Sequence, residues 1–570
     1  MPTITISVQD LCSLIGRRMT PEELSDALNL TKCGHTSPIG DEMAVEVTSD
    51  RPDLLSTEGI ARELKGLLGI ETGLRKYKVG RSDVELTIDR SVLDIRPYMS
   101  SAVLEGVKLT GDAVRQIMQM QEKIHATYGR NRRKVSIGVH DFDKVTHKLT
   151  YAGVEPEKIN FIPLDETRTM NGKEILELTP KGREYAGIIK GFPRYPLLYD
   201  SEGNVLSLPP IINGVITKVT DQTRNILLDV TGTEKKSVDH ALTLMVTALA
   251  ERGAAIKSVQ ILSPQGQVRT PDLSARKRKL RPRLVYDVLG VQLSSRQIAT
   301  LLGKMRYGVT VKGNAITVIV PPYRRDILHE VDLVEDVAIA YGYSRFKPEI
   351  PLTATVGRER EVTTFARTIR DLMIGFGFQE VFTFIMTSPQ ILFEKMNAPP
   401  EEVVEVENPI SLEYSVLRHR LLPGLINFLS YNKHVAYPQK IFECGDVVLV
   451  DKNAATGAVN RRKLSGAICN YSVSYEDAQA VVYSLLRNVG VQGWSVERLD
   501  HQSFIRGRAA RMILNNHEIG LLGEINPTVL ERFGLENPLA AFEIDVEKLM
   551  SERAGTASQS NAYSQSQPRI

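Results

Sequence analysis

An internal repeat is the feature that most constrains how this chain can fold. Residues 51–69, RPDLLSTEGIARELKGLLG, align without gaps with residues 324–342, RRDILHEVDLVEDVAIAYG, at an offset of 273 residues (324 minus 51). The matched pairs include Arg51 with Arg324, Asp53 with Asp326, Leu54 with Ile327, Glu63 with Asp336 and Gly69 with Gly342. Upstream, TPEE at Thr20 and SSRQ at Ser294 both have the pattern of a capping box that opens a helix. We therefore expect one small helix-and-strand module to occur twice.

The second copy of the repeat is rich in carboxylates. Asp332, Glu335 and Asp336 are spaced at i, i+3 and i+4, so they share one face of the expected helix, and Asp326 stands at the start of the segment. Like charges this close repel one another, so the presence of these four acids in one short segment needs an explanation.

Comparison of the two copies shows which of these acids the fold itself requires. The first copy has Gly59 and Arg62 where the second has Asp332 and Glu335, so those two carboxylates are not needed to build the module. A cation would offset their repulsion, and a ligand set made only of oxygens favours a hard ion such as Mg²⁺. The alternatives are a basic surface of a partner and a solvated first helical turn, whose acids complement the helix dipole.

Composition excludes several function classes. A length of 570 residues with 42% hydrophobic and 24% charged residues is typical of a globular protein of about three to five domains. No apolar run is long enough to span a bilayer and the N-terminus lacks signal-peptide regions, so we expect a cytoplasmic protein with no membrane partner. The four cysteines have no CxxC spacing, which argues against a zinc site. The net charge of +3 does not by itself indicate nucleic-acid binding.

The order of patterns predicts an α+β multidomain fold. Residues 112–129 have helical periodicity and residues 134–145 have that of a strand, while a helix at 365–378 precedes a strand at 379–388. The predicted divisions are a small module at 1–76, a mixed α/β domain at 77–268, a second small module with the acidic cluster at 269–350, an antiparallel sheet domain at 351–550 and a polar, disordered tail at 551–570.

Six ordered motifs carry a resemblance to a known family. They are SDRPDLLSTEGIARELKGLLG at 49–69, YPLLYDSEGNVLSLPPIING at 195–214, ILLDVTGTEKK at 226–236, PPYRRDILHEVDLVEDVAIAYGY at 321–343, ENPISLEYSVLRHRLLPGLI at 407–426 and GLLGEINPTVL at 520–530. Together they resemble the beta subunit of phenylalanyl-tRNA synthetase in its archaeal or eukaryotic form, over nearly the whole chain up to about residue 550.

The resemblance implies an assembly and its cofactors. It implies an (alpha-beta)2 heterotetramer that attaches phenylalanine to tRNA(Phe), with ATP bound and consumed in the alpha subunit and Mg²⁺ as cofactor. In that family, acids that match Asp326, Asp332, Glu335 and Asp336 are assigned to Mg²⁺. The beta subunit is implied to support tRNA binding and assembly, with a tRNA-editing domain at 77–268 between its two small modules.

The region 351–550 is similar to the class II synthetase fold, an antiparallel sheet flanked by helices. Catalysis in that fold needs arginines that hold the ATP phosphates. The motif at 520–530 contains no arginine, and no acid partner is evident for Arg418 and Arg420. We therefore expect no aminoacylation residues in this chain, and a dimerisation module whose arginines form ion pairs at a subunit contact.

The implied editing function has a clear chemical reason. Tyrosine is phenylalanine with one added hydroxyl, and an apolar pocket rejects such an isostere by only about a hundredfold, so hydrolysis at a second site is the available remedy. By resemblance to the archaeal members, Leu198 and Ser207 line the tyrosine pocket, while Asp229 and Thr231 supply polar recognition. Asp229 and Thr231 alternate with Val230, so on a strand they share one face.

Other roles are open for the same residues. Ser207 and Thr231 also suit local turns beside proline and glycine. No Ser-His-Asp order or nucleophile elbow is present, so we expect water to attack the aminoacyl ester directly. His125 and His140 are further candidates, although a single histidine is more often structural. The rival function is a binding scaffold that assembles partners without hydrolysing anything.

Overall fold

Residues 1–313, 315–352 and 356–553 are described by a computed structural model. The chain is divided into two compact units, Met1–Ile350 and Pro351–Ile570. The predicted tail at 551–570 lies outside the described residues from position 554 on. Among the described helices, none has the length and apolar character needed to cross a membrane.

The first repeat consists of three helices packed around a small three-stranded sheet. In its first strand Ile4 and Ile6 alternate with exposed residues and are buried, as expected for a strand with one covered face. The elements are β1 (Thr3–Ser7), α1 (Val8–Ile15), α2 (Pro21–Asn29), β2 (Cys33–His35), β3 (Glu42–Val47) and α3 (Thr57–Leu67), with sheet order β1-β3-β2. The predicted capping box at Thr20 is confirmed, because Thr20 and Glu23 each accept the other's backbone N–H.

The middle of the N-terminal unit is built on a ten-stranded sheet. Its elements are β4 (Val79–Ile88), β5 (Tyr98–Glu105), α4 (Gly111–Ala126), β6 (Val135–Asp141), β7 (Lys148–Val154), β8 (Asn160–Phe161), β9 (Met170–Asn171), α5 (Gly172–Leu178), α6 (Pro180–Tyr185), β10 (Tyr195–Asp200), β11 (Val205–Leu208), β12 (Ile212–Asn213), β13 (Ile226–Gly232), α7 (Lys235–Glu251), β14 (Ala255–Ser263) and β15 (Gly266–Thr270). The helix predicted at 112–129 and the strand predicted at 134–145 correspond to α4 and β6 and are confirmed.

The order of strands leaves this sheet with two end strands. The order is β12-β11-β10-β7-β4-β14-β5-β13-β6, with β15 beside β14, so β12 and β6 stand at opposite ends. These two ends approach each other, because the Asn213 side-chain Nδ2 donates to the Val139 carbonyl at 3.4 Å. Helices α4 and α7 share one apolar core with β5, β6 and β13.

The second repeat reproduces the element order of the first. It consists of β16 (Arg276–Leu280), α8 (Pro282–Leu289), α9 (Ser295–Lys304), β17 (Gly308–Lys312), β18 (Ala315–Val320) and α10 (Glu330–Tyr341), with sheet order β16-β18-β17. The predicted capping box at Ser294 and Gln297 is present at the start of α9. The same sequence pattern therefore produces the same arrangement of strands and helices twice.

The two repeats pack tightly against each other. A Cβ added at Gly66 on α3 would lie 2.0 Å from the carbonyl oxygen of Lys304 at the end of α9, so only glycine allows this approach. Close by, the Gly73 N–H donates to the Gly303 carbonyl at 2.7 Å. Main-chain contacts of this kind leave little freedom in how one repeat lies against the other.

The second unit contains a seven-stranded sheet. Its elements are α11 (Glu361–Gly375), β19 (Gln379–Glu380), β20 (Met386–Thr387), β21 (Val416–Leu417), α12 (Leu422–Tyr431), β22 (Gln439–Val450), β23 (Ala458–Cys469), α13 (Tyr475–Asn488), β24 (Ser495–Arg498), β25 (Phe504–Leu514), β26 (His517–Ile525), α14 (Pro527–Phe533) and β27 (Leu539–Asp545). The order is β19-β22-β23-β27-β26-β25-β24, antiparallel except for the β19–β22 pair. Helices α11 and α13 cover one face, and α12 and α14 the other.

One strand prediction in this unit is wrong. The strand expected over 379–388 is limited to Gln379–Glu380 and Met386–Thr387. Alternating apolar residues usually indicate a half-buried strand, but here Phe382 and Phe384 are 84% and 77% exposed. Both side chains are largely exposed, so the pattern does not lead to a core strand.

Candidate functional site

A cavity of about 650 Å³ lies in the N-terminal unit where α4, β6 and β12 meet. Its wall includes polar or small residues from several strands, among them Ser136, Gly138, Ser207, Asn213 and Asp229. Its volume is within the range of pockets that hold small ligands. A cleft of this kind, with a few convergent polar groups, is where binding chemistry is expected.

Asp229 contributes a buried carboxylate to this wall. It lies on β13 and is 1% exposed. Its Oδ2 accepts hydrogen bonds from His140 Nε2 at 2.7 Å and from Ser207 Oγ at 3.3 Å. Its Oδ1 receives no hydrogen bond from any residue that the structure describes. The protein therefore holds one oxygen of the carboxylate, while the other has no hydrogen-bond donor among the described residues.

Thr217, His140 and Asp229 form a chain of hydroxyl, imidazole and carboxylate. His140 Nδ1 lies 2.8 Å from Thr217 Oγ1, so in a neutral ring the network assigns the proton to Nε2, which faces Asp229. In serine proteases the attacking hydroxyl meets Nε2 and the carboxylate meets Nδ1, the reverse of this arrangement. Thr217 is also only 1% exposed. The chain is better suited to fixing the Asp229 carboxylate than to activating a nucleophile.

Gly138 makes room for this carboxylate. It lies directly opposite Asp229 in the ladder between β6 and β13. A Cβ at this position would lie 2.1 Å from Asp229 Oδ2 and 2.7 Å from His140 Nε2. The close approach of the carboxylate to the strand thus requires glycine at position 138.

Thr231 lies one step behind the cavity wall. Its hydroxyl oxygen accepts a hydrogen bond from Arg96 Nε at 2.8 Å and lies 3.0 Å from Ser136 Oγ, and Ser136 lines the cavity. Arg96 also donates to the Thr231 carbonyl at 2.9 Å. Burial lowers the pKa of the Arg96 guanidinium to about 10. Thr231 therefore connects a buried cation with the wall, whereas Asp229 faces the cavity itself.

Leu198 supports the site from the apolar core. It is fully buried and packs with Leu206 and Leu227, and it lies opposite Ser207 in the ladder between β10 and β11. It is absent from the described cavity wall. Of the four predicted pocket residues, Ser207 and Asp229 meet in the wall, while Leu198 and Thr231 stand behind it.

His125 has a structural partner on β6. Its Nε2 accepts the backbone N–H of Ile137 at 2.8 Å, and burial lowers the pKa of the imidazole, which keeps this nitrogen available as an acceptor. Gln121, one helical turn earlier on α4, donates to the Ile137 carbonyl at 2.6 Å. Helix α4 thus satisfies both outward backbone groups of one residue on the sheet edge.

Sequence reasoning did not select Gly138, Thr217 and Asn213, and it set His140 aside. The period of two along β6 places Gly138 and His140 on the same face. This shared face indicates a site only when the strand register, which sets Gly138 opposite Asp229, is also known. No short motif encodes this register.

The acidic segment of the second repeat is organised by a buried arginine. Arg324 Nη2 lies 2.7 Å from Asp326 Oδ2 and 2.7 Å from Asp336 Oδ2, and Arg324 and Asp336 are each 1% exposed. The Tyr307 hydroxyl also donates to Asp336. The repulsion between these two carboxylates is offset by a guanidinium from the same segment.

The first repeat contains the equivalent cluster. Arg51 Nε lies 2.9 Å from Asp53 Oδ1 and Arg51 Nη2 lies 3.1 Å from Glu63 Oε2, with all three residues buried. Burial alone would raise the pKa of Asp53, but the adjacent Arg51 lowers it to about 2. Each copy therefore closes its helix against its loop with one arginine and two acids.

Asp332 and Glu335, which have no acidic counterpart in the first repeat, make different contacts. Asp332 Oδ2 accepts the N–H groups of Leu328 at 2.7 Å and His329 at 2.6 Å, so it caps the start of α10. Glu335 Oε2 lies 2.8 Å from Lys32 Nζ in the first repeat. At the position matching Glu335, Arg62 stacks over the Tyr323 ring of the second repeat at 3.7 Å. Positions 62 and 335 differ because each contacts the other copy.

The predicted magnesium ligands do not form one site in this arrangement. Asp326 and Asp336 bind Arg324, whereas Asp332 and Glu335 bind the helix start and Lys32. Within the described ranges there is no group of three or more His, Cys, Asp or Glu side chains placed to hold a metal ion. A single Mg²⁺ bound by all four carboxylates does not fit these contacts.

In the second unit, both arginines considered from the sequence have acid partners within the chain. Arg418 Nη2 lies 2.8 Å from Glu443 Oε1, and both residues are buried. Arg420 Nη2 lies 3.1 Å from Glu401 Oε1. The ion pairs that were expected at a subunit contact are therefore internal.

Comparison with known proteins identifies the family to which this chain is related. The chain matches the family model described as phenylalanyl tRNA synthetase beta chain CLM domain over residues 347–546, the tRNA synthetase B5 domain over 278–343 and the B3/4 domain over 110–261. It is 42% identical over 550 residues to the phenylalanine–tRNA ligase beta subunit of Thermococcus sibiricus, covering 95% of this chain and 98% of that protein. The chain belongs to the phenylalanine–tRNA ligase beta subunit family. The resemblance stated from the six motifs is thereby confirmed.

Two further matches agree with this membership. The phenylalanine–tRNA ligase beta subunit of Pyrococcus furiosus is 43% identical over 556 residues, covering 96% of this chain and all of that protein. Among solved structures, an N-terminal fragment of the phenylalanyl-tRNA synthetase beta-subunit from Pyrococcus horikoshii matches with a TM-score of 0.58 and 43% identity. It covers 60% of this chain and its own whole length. Membership of this family implies that the chain has an alpha subunit and tRNA as partners in a ligase complex.

The arginine cluster of the second repeat leads to a stability prediction. Replacing Arg324 with Met leaves Asp336 buried without its cation, which should cost about 3–5 kcal/mol and lower the melting midpoint of the N-terminal unit by on the order of 6–12 °C. The neighbouring Arg325 is exposed, so Arg325→Met should change stability by no more than about 0.5 kcal/mol. Thermal unfolding is measured in EDTA so that no divalent cation replaces the guanidinium. Equal midpoints for the two variants would contradict the role given to Arg324.

Proposed function

We propose that this chain is the editing and assembly subunit of a cytoplasmic phenylalanine–tRNA ligase. With an alpha subunit, in an (alpha-beta)2 heterotetramer, it supports the attachment of phenylalanine to tRNA(Phe) and hydrolyses mischarged tyrosyl-tRNA(Phe). The observation that carries the editing proposal is the Asp229 carboxylate, with one oxygen held by His140 and Ser207 and the other left for a ligand. Family membership supports the ligase assembly.

Asp229 supplies the discrimination that an apolar pocket lacks. The tyrosine phenol donates its hydrogen bond to Asp229 Oδ1, whereas phenylalanine leaves this buried oxygen without a partner. An unsatisfied buried acceptor costs about 1–3 kcal/mol, which is roughly a 5- to 150-fold preference for tyrosine. His140 and Ser207 hold the other oxygen in place, so the carboxylate needs little rearrangement when the phenol arrives.

We assign the attack on the ester to water. The hydroxide part of the water joins the carbonyl carbon, the bond to the ribose oxygen breaks, and the proton ends on that oxygen. A covalent route would need a hydroxyl oriented on a base as in a serine protease. Thr217 contacts His140 at Nδ1, the reverse of that arrangement, and Ser207 donates to Asp229 rather than to the imidazole.

ATP chemistry belongs to the alpha subunit in this proposal, together with the Mg²⁺ that accompanies ATP. In the second unit of this chain, Arg418 and Arg420 are already paired with Glu443 and Glu401, which supports this division. Of the four acids predicted to bind Mg²⁺, Asp326 and Asp336 are neutralised by Arg324. Asp332 and Glu335 are the two that remain as candidates. Any cation held there would need ligands from outside the described residues.

An exposed apolar surface of the second unit supports binding of the alpha subunit. It is formed by Phe382, Phe384, Ile410, Leu412 and Tyr414, which are 84%, 77%, 107%, 82% and 41% exposed. The Phe384 and Tyr414 rings meet edge to face with centroids 6.0 Å apart. Large exposed apolar patches mark protein interfaces. We therefore assign this surface to the contact with the alpha subunit.

The editing proposal predicts a selective defect in one variant. Asp229→Ala removes the acceptor for the phenol, so the assembled complex should hydrolyse tyrosyl-tRNA(Phe) roughly 5- to 150-fold more slowly. Charging of phenylalanine should be largely unchanged, because ATP chemistry is in the other subunit. Deacylation of purified tyrosyl-tRNA is measured beside phenylalanine charging.

The outcomes of this experiment separate the competing functions. A wild-type complex that does not deacylate tyrosyl-tRNA favours the binding scaffold over editing. Deacylation by the variant at the wild-type rate removes Asp229 from recognition, and a parallel fall in both activities indicates a defect in folding or tRNA binding.

The interface proposal predicts a loss of assembly. The double variant Phe382→Ser, Phe384→Ser should no longer copurify with the alpha subunit, while its own melting midpoint stays within about 2 °C because both side chains are exposed. Ile39→Ser is a matched control, since Ile39 is 85% exposed in the other unit. Size-exclusion chromatography of coexpressed subunits gives the readout. Normal heterotetramer formation by the double variant would refute this interface.

A further inference from the structure

A second cavity lies entirely within the second unit, over the part of the sheet formed by β23, β26 and β27. Its volume is about 190 Å³. A smaller apolar hollow of about 20 Å³ adjoins it, because Glu401, His419 and Arg420 line both. Neither space has a role in the activities proposed above.

The larger cavity is lined by side chains of both charges. Its cations are Arg420, Lys463 and Lys548, and its carboxylates are Glu401, Glu518, Glu543 and Asp545. A polyphosphate such as that of ATP would be repelled by these carboxylates. A wall of mixed charge instead complements a small ligand that carries one cation and one anion.

Two of the carboxylates have acceptor oxygens that the protein does not use. Asp545 Oδ1 accepts the Lys548 N–H at 2.9 Å, while Asp545 Oδ2 accepts from none of the residues that the structure describes. Glu518 accepts from Lys548 Nζ at 3.3 Å through its backbone carbonyl, and its carboxylate has no partner in the described chain. Because Lys548 contacts both residues, these two acids lie close together and can accept from one ammonium group.

Unused donors come from Arg420 and Lys463. Lys463 Nζ donates to Glu543 Oε1 at 2.9 Å and to the His419 carbonyl at 3.2 Å, so one of its three N–H groups remains. Arg420 uses one of its five N–H groups in its ion pair. Lys463 lies opposite Asp545 in the ladder between β23 and β27, so their side chains share one face of the sheet. Free donors and free acceptors therefore line the same cavity.

His419 adds a buried nitrogen without a partner where the two spaces meet. It is 7% exposed, and its Nδ1 has no hydrogen-bond partner among the described residues. Its ring stacks on Phe393 of the apolar hollow with centroids 5.4 Å apart. Burial lowers the pKa of the imidazole to about 4, so the ring is neutral at pH 7. Buried polar atoms are normally paired, so this nitrogen indicates a partner supplied by a ligand.

We propose that this cavity binds a free α-amino acid with a small aliphatic side chain, such as L-valine. Its ammonium group donates to Asp545 and Glu518. Its carboxylate accepts from Arg420 and Lys463, and its side chain enters the apolar hollow beside Phe393. The side chain is small because a hollow of about 20 Å³ has room for little more than one methyl group.

Calorimetric titration of the full-length chain tests the ligand class. L-valine should bind with a dissociation constant of about 1 mM or tighter. Isobutylamine is valine without the carboxylate, and isovalerate is valine without the ammonium group. Each loses the charge-assisted hydrogen bonds on one side of the cavity, so each should bind at least about tenfold more weakly than L-valine.

Variants locate the binding within the chain. Glu518→Gln and Arg420→Gln each remove one charge and should weaken binding of L-valine by about tenfold or more. Arg498→Gln is the matched control, because its ion pair with Asp500 lies outside the cavity wall, and it should keep the wild-type affinity. Glu518 is exposed, so Glu518→Gln should keep the wild-type melting midpoint and decides the result if Arg420→Gln is unstable.

Three results would overturn this inference. One is no binding of L-valine, and another is binding of isobutylamine or isovalerate as tightly as L-valine. The third is wild-type affinity in Glu518→Gln or in a stably folded Arg420→Gln, since the ligand would then bind elsewhere. No tRNA or ester takes part in these measurements, so their outcome is independent of the editing proposal.

Discussion

The unpaired outer edge of β6 is the constraint on which the candidate site depends. A strand at the end of a sheet exposes N–H and C=O groups that need partners. Helix α4 supplies them at Ile137 through Gln121 and His125. At Val139 the helix no longer does so, and the approaching edge of β12 contributes only Asn213. The cavity occupies the resulting gap, with Asp229 on the strand immediately inside the edge.

The repeated modules explain the acidic segment in physical terms. In each copy one buried arginine binds two carboxylates, Asp53 and Glu63 in the first and Asp326 and Asp336 in the second. The copies differ at positions that contact each other: Glu335 meets Lys32 across the interface. Removing one member of such a cluster leaves an uncompensated buried charge, which is far more costly than losing an exposed ion pair.

Much of the fold could be predicted from the sequence because local patterns determine it. The capping boxes at Thr20 and Ser294 and the helical period of α4 are encoded within a few residues and are present in the structure. The alternation at 379–388 was misleading, because period-two apolar residues specify a face without specifying what covers it. Phe382 and Phe384 are exposed in the described chain.

The candidate site was predicted only in part because its contacts join distant segments. Sequence spacing correctly placed Asp229 and Thr231 on one strand. Their surroundings differ in the structure because Thr231 contacts Arg96, which is 135 residues away in the sequence. The arginine that neutralises Asp336 was visible within the repeat, but ion pairing depends on how the loop closes over α10. Gly138 and Asn213 acquire their importance from the pairing of β6 and β12 with their neighbours, which spacing does not reveal.

The most direct test of this account is a crystal structure of the proposed complex with the alpha subunit, bound to an adenosine that carries tyrosine through a hydrolysis-resistant 3′-amide. The account predicts that the phenol oxygen lies within about 3 Å of Asp229 Oδ1. A tyrosyl group bound outside this cavity, or bound in it with the phenol away from Asp229, would contradict the central claim that this carboxylate recognises the mischarged amino acid.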